Sequence, residues 1–272
     1  MKVTLAGTWS PRGEMARLQR LHPQLQQRYA AIVLSVPDTT GAAERKFLQE
    51  QPATTMVVTP QRGWGRYLAL EEAVKQEADH IHYCDFDRLL HWVETDPAEW
   101  QQTLQRIPQH EFLIIGRTER ALQSHPQSLA QTERIINDVA SSLLAQPVDV
   151  GGGSRGFSRV AAQIVLTRTT PGGWGDLQWP ILVNQAGLAV SYLAVDGLAW
   201  ESADRYREQA ATADQQAQAA QAYDHNVAHW ARRVQIAQEI IQEGLAARLG
   251  RHPRWKEVAT LQVMYAEKAP AA

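Results

Sequence analysis

One cysteine, Cys84, is the whole thiol inventory of 272 residues. It excludes an internal disulfide, and with it the stapled scaffolds of small secreted proteins; a lone thiol fits a reducing compartment. Long apolar runs are missing too, since none approaches the roughly 20 residues a helix needs to span a bilayer. The apolar part of the opening stretch, 1–7, is too short for a signal peptide, so the expected location is cytoplasmic. Neither sign of charge is in excess: 27 basic against 29 acidic residues leave a net charge of −2. A chain so balanced has no general attraction to nucleic acid or acidic membranes; nucleic acid is not expected as a partner, and peripheral membrane contact stays open. Internal repeats and a linker-like stretch are not seen, which favours one body over a string of modules.

What is present reads as an α/β chain. The apolar fraction of 44% supports one sizeable core. Short β-branched runs at 3–6, 30–36, 55–59, 80–84 and 112–115 alternate with helical patterns at 13–25, 42–50 and 66–78. Strand, helix, strand in that order means parallel crossovers and a sheet covered on both faces. Ligands of such sheets sit beyond the carboxyl ends of the strands. That rule selects the segment after Gly7, the Asp38 turn, the Gly63 loop and the Asp85 turn.

The second half is less regular. It offers a helix at 129–144, a glycine-rich loop at 148–157, a helical or extended stretch at 160–167, a helix at 179–185 and a strand at 188–195. Residues 207–222 are rich in Gln and Ala and predict an exposed helix or a mobile excursion. Residues 230–249 predict an amphipathic helix with Val234, Ala237, Ile241 and Leu245 on one side. The division expected is a ligand-binding and catalytic domain at 1–205, a helical region at 206–265 packed on it, and a disordered tail at 266–272.

Four motifs carry chemistry. His80-Ile81-His82-Tyr83-Cys84-Asp85-Phe86-Asp87 delivers two carboxylates as a strand ends; alternate residues of an extended segment face one way, so both can meet one ion. Hard oxygens of this kind suit Mg²⁺ or Mn²⁺, which bind phosphates in turn; a solvated turn or helix cap is the structural alternative. Gln61-Arg62-Gly63-Trp64-Gly65-Arg66 puts glycines and cations between a strand and a helix, where an anion is favoured. It is neither a Walker loop nor the dinucleotide fingerprint. Asp149-Val150-Gly151-Gly152-Gly153-Ser154-Arg155-Gly156-Phe157-Ser158-Arg159 needs a steric reason for three consecutive glycines, and Arg155 and Arg159 suit phosphate or a donor sugar. Gly173-Trp174-Gly175-Asp176-Leu177-Gln178-Trp179-Pro180 sets a carboxylate among aromatics, where apolar surroundings raise its pKa and make a general base; a helix cap is compatible. His80 and His82 read as core or supporting residues. His225 and His229 have the i, i+4 spacing of metal ligands without the glutamate of a zinc protease.

In this order the motifs resemble a GT-A fold glycosyltransferase, most closely the inverting group that includes dolichyl-phosphate mannose synthases and their soluble relatives. Asp38 stands where that group places an acid contacting the nucleoside. Gly63-Trp64-Gly65-Arg66-Tyr67-Leu68-Ala69 resembles its glycine-rich loop, Asp85-Phe86-Asp87 its D-x-D metal motif, and Gly153 to Arg159 its later glycine, aromatic and S-R stretch. Gly175 to Pro180 resembles the segment with the acceptor-side acid. The likeness covers about 1–200; the segment after the first strand, Gly7-Thr8-Trp9-Ser10-Pro11-Arg12, departs from the group's pattern.

The resemblance implies transfer of a sugar from a nucleotide-diphosphate donor to a hydroxyl of an acceptor whose identity is open. Asp85 and Asp87 would hold Mg²⁺ or Mn²⁺, Asp176 would be the base, and Asp38, Gly63, Gly65, Arg66, Asp85, Arg155 and Arg159 would bind the donor. Two alternatives stand beside it. One is a nucleotidyltransferase making a nucleotide-sugar, which wants a glycine-rich basic loop after the first strand. The other is a non-catalytic relative binding a nucleotide-sugar or a partner protein, with the C-terminal helices open to homo-oligomer assembly.

Overall fold

Leu5, Ile32, Leu34, Leu113 and Ile115 pack on one side of a central sheet, and Ala6, Val33, Ile81, Tyr83, Phe112 and Ile114 on the other. Alternate residues of each strand are therefore buried on opposite faces, and the strands read as unbroken apolar runs. The computed structural model describes residues 2–61 and 63–250. Val3–Thr8 forms β1, Met15–Arg28 α1, Ala31–Pro37 β2, Ala42–Glu50 α2, Thr54–Thr59 β3, Gly65–Val74 α3 and His80–Asp85 β4. Then come α4 (Phe86–Thr95), α5 (Pro97–Arg106), β5 (Phe112–Arg117), α6 (Glu119–Gln123), α7 (Gln127–Leu144) and β6 (Ser154–Ser158). The chain continues through α8 (Arg159–Arg168), α9 (Gln178–Gln185), β7 (Val190–Val195), α10 (Ala213–Asp224) and α11 (Val227–Arg248).

The seven strands lie in the order β3-β2-β1-β4-β6-β5-β7. All pairings are parallel except those of β6, which runs antiparallel to both β4 and β5. The strand lies inside what the sequence reads as a loop at 148–157. A five-residue strand containing Gly156 has too little apolar pattern to announce itself; Gly156 is small because a Cβ there would stand 3.0 Å from the Ile107 side chain. The reversal matters for placement. In register, Thr8 pairs with Asp85, and Cys84 with Ser154, so β1 and β4 end where β6 begins.

The last helix, α11, shares the core with the sheet: its Ile236, Ala237, Ile240 and Ala247 belong to the same apolar cluster as Ile81 and Phe157. This corrects the phase expected for that helix. Val234 and Leu245 are exposed, and the buried stripe is Ile236, Ala237, Ile240, Gly244 and Ala247. Small residues set it, because a Cβ at Gly244 would meet Leu177 at 2.3 Å. The Gln/Ala stretch forms α10 behind a capping box of Thr212 and Gln215, and Ala220 is its one buried residue. Among the described residues no helix is long and apolar enough to cross a membrane. The expected tail at 266–272 lies outside the described residues.

Candidate active site

The carboxyl edge of the sheet gathers all four motifs through charge. Asp85 ends β4, and although it stands at the amino end of α4 its side chain caps nothing. Its Oδ1 accepts from the Tyr83 hydroxyl (2.7 Å) and the Thr8 hydroxyl (3.2 Å), and its Oδ2 from Arg66 Nη2 (2.9 Å). Arg66, in the first turn of α3, also donates through Nη1 to Asp176 Oδ2 (2.7 Å) and to the Trp174 carbonyl (2.6 Å). Asp176 Oδ1 in turn accepts from Arg155 Nη2 (2.9 Å), which also reaches the Val150 carbonyl (2.8 Å). The result is an unbroken ion-pair chain, Asp85–Arg66–Asp176–Arg155. Each guanidinium lies 5.9 Å from an aromatic centroid, Arg66 over Tyr83 and Arg155 over Trp179, and those two rings meet edge to face.

Burial opposes the ionised form of Asp85, yet the Arg66 and Arg88 guanidiniums outweigh it and hold the carboxyl below its usual range. Asp87 behaves in the opposite way. Burial, then Glu201, then Asp85 push it up to about 7. Among the described residues its carboxylate accepts one hydrogen bond, from the Arg88 amide at 3.0 Å. The strand has already ended at Asp85, so Asp87 sits in the first turn of α4 and the alternation expected to align the two acids does not extend to it. Tyr83 is the residue that shares Asp85's side.

Asp176 is 5% exposed, and both its oxygens are taken by arginine. That corrects the expected environment: the carboxylate lies between two cations and not in an apolar setting. It does not cap α9 either, whose N-cap Leu177 has no side-chain bond. The loop carrying it is tied to α11, where Glu243 accepts from the Trp174 amide and Glu239 from its indole, both at 2.8 Å. Sequence reading missed these two acids; their i, i+4 spacing on one face of a helix was the available signal.

The three consecutive glycines have protein neighbours. A Cβ at Gly151 would fall 2.5 Å from Arg117 Nη2, at Gly152 2.6 Å from the Ile115 carbonyl, and at Gly153, where φ is +67°, 2.7 Å from Asp85 Oδ2. Gly65 is likewise a packing glycine, since a Cβ there would stand 2.9 Å from Thr8. Gly63 has φ +89° and faces Gly172, joining the second and fourth motifs. Arg62 lies outside the described residues.

Arg159 is the clear departure. Because β6 is antiparallel, Ser158 pairs with His80 at the amino end of β4, and Arg159 follows it there. Its guanidinium donates to the carbonyls of Val74, Gln76 and Ala78, closing the end of α3, away from Asp85. Asp38 stands in an exposed turn after β2, with its carbonyl accepting from Arg45. His82 is buried between the Tyr29 hydroxyl (2.7 Å) and Ser154 Oγ (2.9 Å), and burial lowers its pKa to about 3, so it is a neutral core residue. His225 is exposed and His229 stacks on Tyr223, so the metal reading of this pair finds no support.

Among the described residues no group of three or more His, Cys, Asp or Glu side chains is gathered to hold a metal ion as it stands. The donor chemistry nevertheless fits a hard divalent cation. Asp85, Asp87 and Glu201 offer oxygen only, Asp87 is starved of positive charge, and the buried Glu201 Oε2 has no hydrogen-bond partner, with Arg88 Nε at 3.5 Å.

No family model matches the chain, and no curated protein matches it. Among solved structures it is similar to the Mycobacterium tuberculosis glucosyl-3-phosphoglycerate synthase, at 13% identity over 92% of this chain and 81% of that one, with a TM-score of 0.54. A structure of that enzyme in complex with Mn²⁺, UDP and phosphoglyceric acid aligns at 11% identity over 86% and 78% of the two chains, with a TM-score of 0.46. A 4-diphosphocytidyl-2C-methyl-D-erythritol synthase from Anaerococcus prevotii aligns at 9% identity over 83% and 99%, also at 0.46. At such identities the likeness speaks to fold alone, and the fold is of the GT-A, nucleotide-diphospho-sugar transferase type.

Proposed function

We propose that this chain is a metal-dependent glycosyltransferase that moves a sugar from a nucleotide-diphosphate donor to an acceptor hydroxyl. The observation that carries the reading is the Asp85–Arg66–Asp176–Arg155 chain. It joins residues from the ends of β4, α3, β6 and the loop before α9 at the edge where sheets of this type bind ligands. Asp85 and Asp87 would hold the divalent ion, Mg²⁺ or Mn²⁺, with Glu201 near Asp87; an ion there would supply positive charge to offset the negative charge developing on the diphosphate leaving group.

The chain's own residues do the rest. Arg66 is the least buried of the two arginines and is placed to contact the diphosphate. Arg155 stays on Asp176 and the Val150 carbonyl and fixes the β6 end of the site. Asp176 takes the acceptor proton once Arg66 has turned from it, and a single displacement with that base opposite the leaving group inverts the anomeric carbon. Asp38, in its exposed turn, contacts the nucleoside. Gly63 lets the α3 loop approach the Gly172 backbone; Gly65 seats α3 on β1. Arg159 is left out of the donor site. The kinship with dolichyl-phosphate mannose synthases rests on motif order alone.

A thermal-shift screen of UDP-, GDP-, ADP- and dTDP-sugars with Mn²⁺ tests the reading. One donor is expected to raise the melting temperature, and the shift is expected to vanish in Asp87→Ala. If no nucleotide-sugar shifts the wild type, the transferase reading fails.

A further inference from the structure

Resting on that reading, we propose that Arg66 is a stand-in cation: it occupies the Asp85 oxygen a divalent ion needs and gives it up when a diphosphate recruits the guanidinium. The bookkeeping of Asp85 leads there. Oδ1 already accepts two hydroxyls, from Thr8 and Tyr83, so Oδ2 is the oxygen left for a metal. Arg66 Nη2 covers it at 2.9 Å. Gly153 lies beside the same oxygen, and as glycine it leaves room there: an added Cβ would lie 2.7 Å from Oδ2. Asp87 stays short of cation beside it, because no guanidinium bonds its carboxylate among the described residues.

Arg66 is also the member built to leave. Its side chain is 20% exposed, against 7% for Asp176 and 1% for Arg155. A guanidinium has five N–H groups; three are engaged, two on Nη1 and one on Nη2, which leaves two for an incoming phosphate before any ion pair breaks. A diphosphate carries the charge to compete for them, and each step of Arg66 toward it uncovers Oδ2. Metal and donor then bind cooperatively, because each removes an obstacle to the other, and the coupling is reciprocal. The free chain in turn holds divalent ion weakly, so Asp85 stays paired with Arg66 until a donor arrives.

The test is Mn²⁺ affinity without nucleotide, read from the electron paramagnetic resonance signal of the free ion, for the wild type and Arg66→Gln. The variant is expected to bind Mn²⁺ about tenfold more tightly. Equal or weaker binding in the variant overturns the proposal and leaves the transferase reading standing. Absence of Mn²⁺ binding in both, with no shift in the donor screen, removes both. Removing any nearby positive charge also helps a cation, so a crystal structure of the wild type with Mn²⁺ and the nucleoside diphosphate giving the largest shift separates the causes. Arg66 is expected beyond hydrogen-bond distance of Asp85 Oδ2. Arg66 still bonded to Oδ2 with Mn²⁺ in place overturns the proposal.

Discussion

Two ion-pair chains sit at the carboxyl edge of the same sheet, built from the same side-chain types, and they differ in freedom. In the first, Asp85–Arg66–Asp176–Arg155, the Asp85 and Arg66 side chains are 18% and 20% exposed. In the second, Arg233–Glu133–Arg117–Asp149, Arg117 is fully covered, hydrogen-bonds Asp149 through Nε (2.7 Å) and Nη2 (2.9 Å), and forms an ion pair with Glu133 at 2.5 Å. Arg233 of α11 pairs with the same Glu133. Burial alone would raise Asp149, but the Arg117 guanidinium overrides it and holds the carboxyl well below the usual range. The second chain ties β5, α7, α11 and the glycine loop together; only its end member Arg233 is partly exposed, and its centre of Glu133, Arg117 and Asp149 is buried. The difference teaches that burial, not charge count, separates a fastening from a movable contact.

Breaking the buried chain has the largest expected effect. Asp149→Ala leaves Arg117 short of its main partner, at a cost of about 3–5 kcal/mol, a fall of roughly 10 °C in melting temperature. Arg66→Gln costs about 1 kcal/mol, because Asp176 keeps Arg155. Thermal melts followed by circular dichroism decide; equal losses would put the two chains on the same footing. Acid sharpens the same contrast. Asp149's depressed pKa stabilises the fold above the unfolded carboxyl range, and that part is lost as pH falls through it, whereas the Asp149→Ala melt is flatter there.

Next in size is Arg159→Ala. It leaves the carbonyls of Val74, Gln76 and Ala78 without their donor, for about 1–3 kcal/mol. Its nucleotide-sugar shift is expected to match the wild type, which sets it apart from Arg155 although the two share the ends of one short strand. Loss of the donor shift at full stability would return Arg159 to the site.

The smallest effect concerns Asp87. Its carboxyl is raised in the folded chain, so the folded state binds the proton more tightly than the unfolded one. Stability from this group is therefore present at low pH and lost as pH rises from about 4 through about 7. Without metal, Asp87→Asn is expected to melt a few degrees higher than the wild type at pH 8, by a margin that shrinks toward pH 5 and closes near pH 4. A wild type that is the more stable at pH 8 would mean Asp87 already has a cation partner.

Much of the fold was legible because a sheet buried on both faces writes itself as short apolar runs, and the order of β1 to β5 follows from them. What escaped had specific causes. Strand β6 is short and holds glycine, so it read as loop, and its reversed direction carried Arg159 to the wrong end of the sheet. The face of α11 was misjudged because Val234 and Leu245 weigh more in an apolar pattern than Gly244 and Ala247, which allow close packing. At the candidate site, Asp85 and Asp176 were singled out by residue type and position. Their shared partner Arg66 was named, but its bridging of acids 91 positions apart is a tertiary fact that no local spacing encodes. The triple glycine was noticed for the right steric reason, with protein neighbours where a ligand was expected.

The central claim is that the carboxyl edge of this sheet breaks a nucleotide-diphosphate-sugar bond with help from a divalent ion at Asp85 and Asp87. Its most direct test is release of nucleoside diphosphate from UDP-, GDP-, ADP- and dTDP-sugars, followed with Mn²⁺, with EDTA, and in Asp87→Ala. Turnover of one donor that stops with EDTA and in the variant is the predicted result. Release that continues undiminished under EDTA, or no release from any donor, contradicts it.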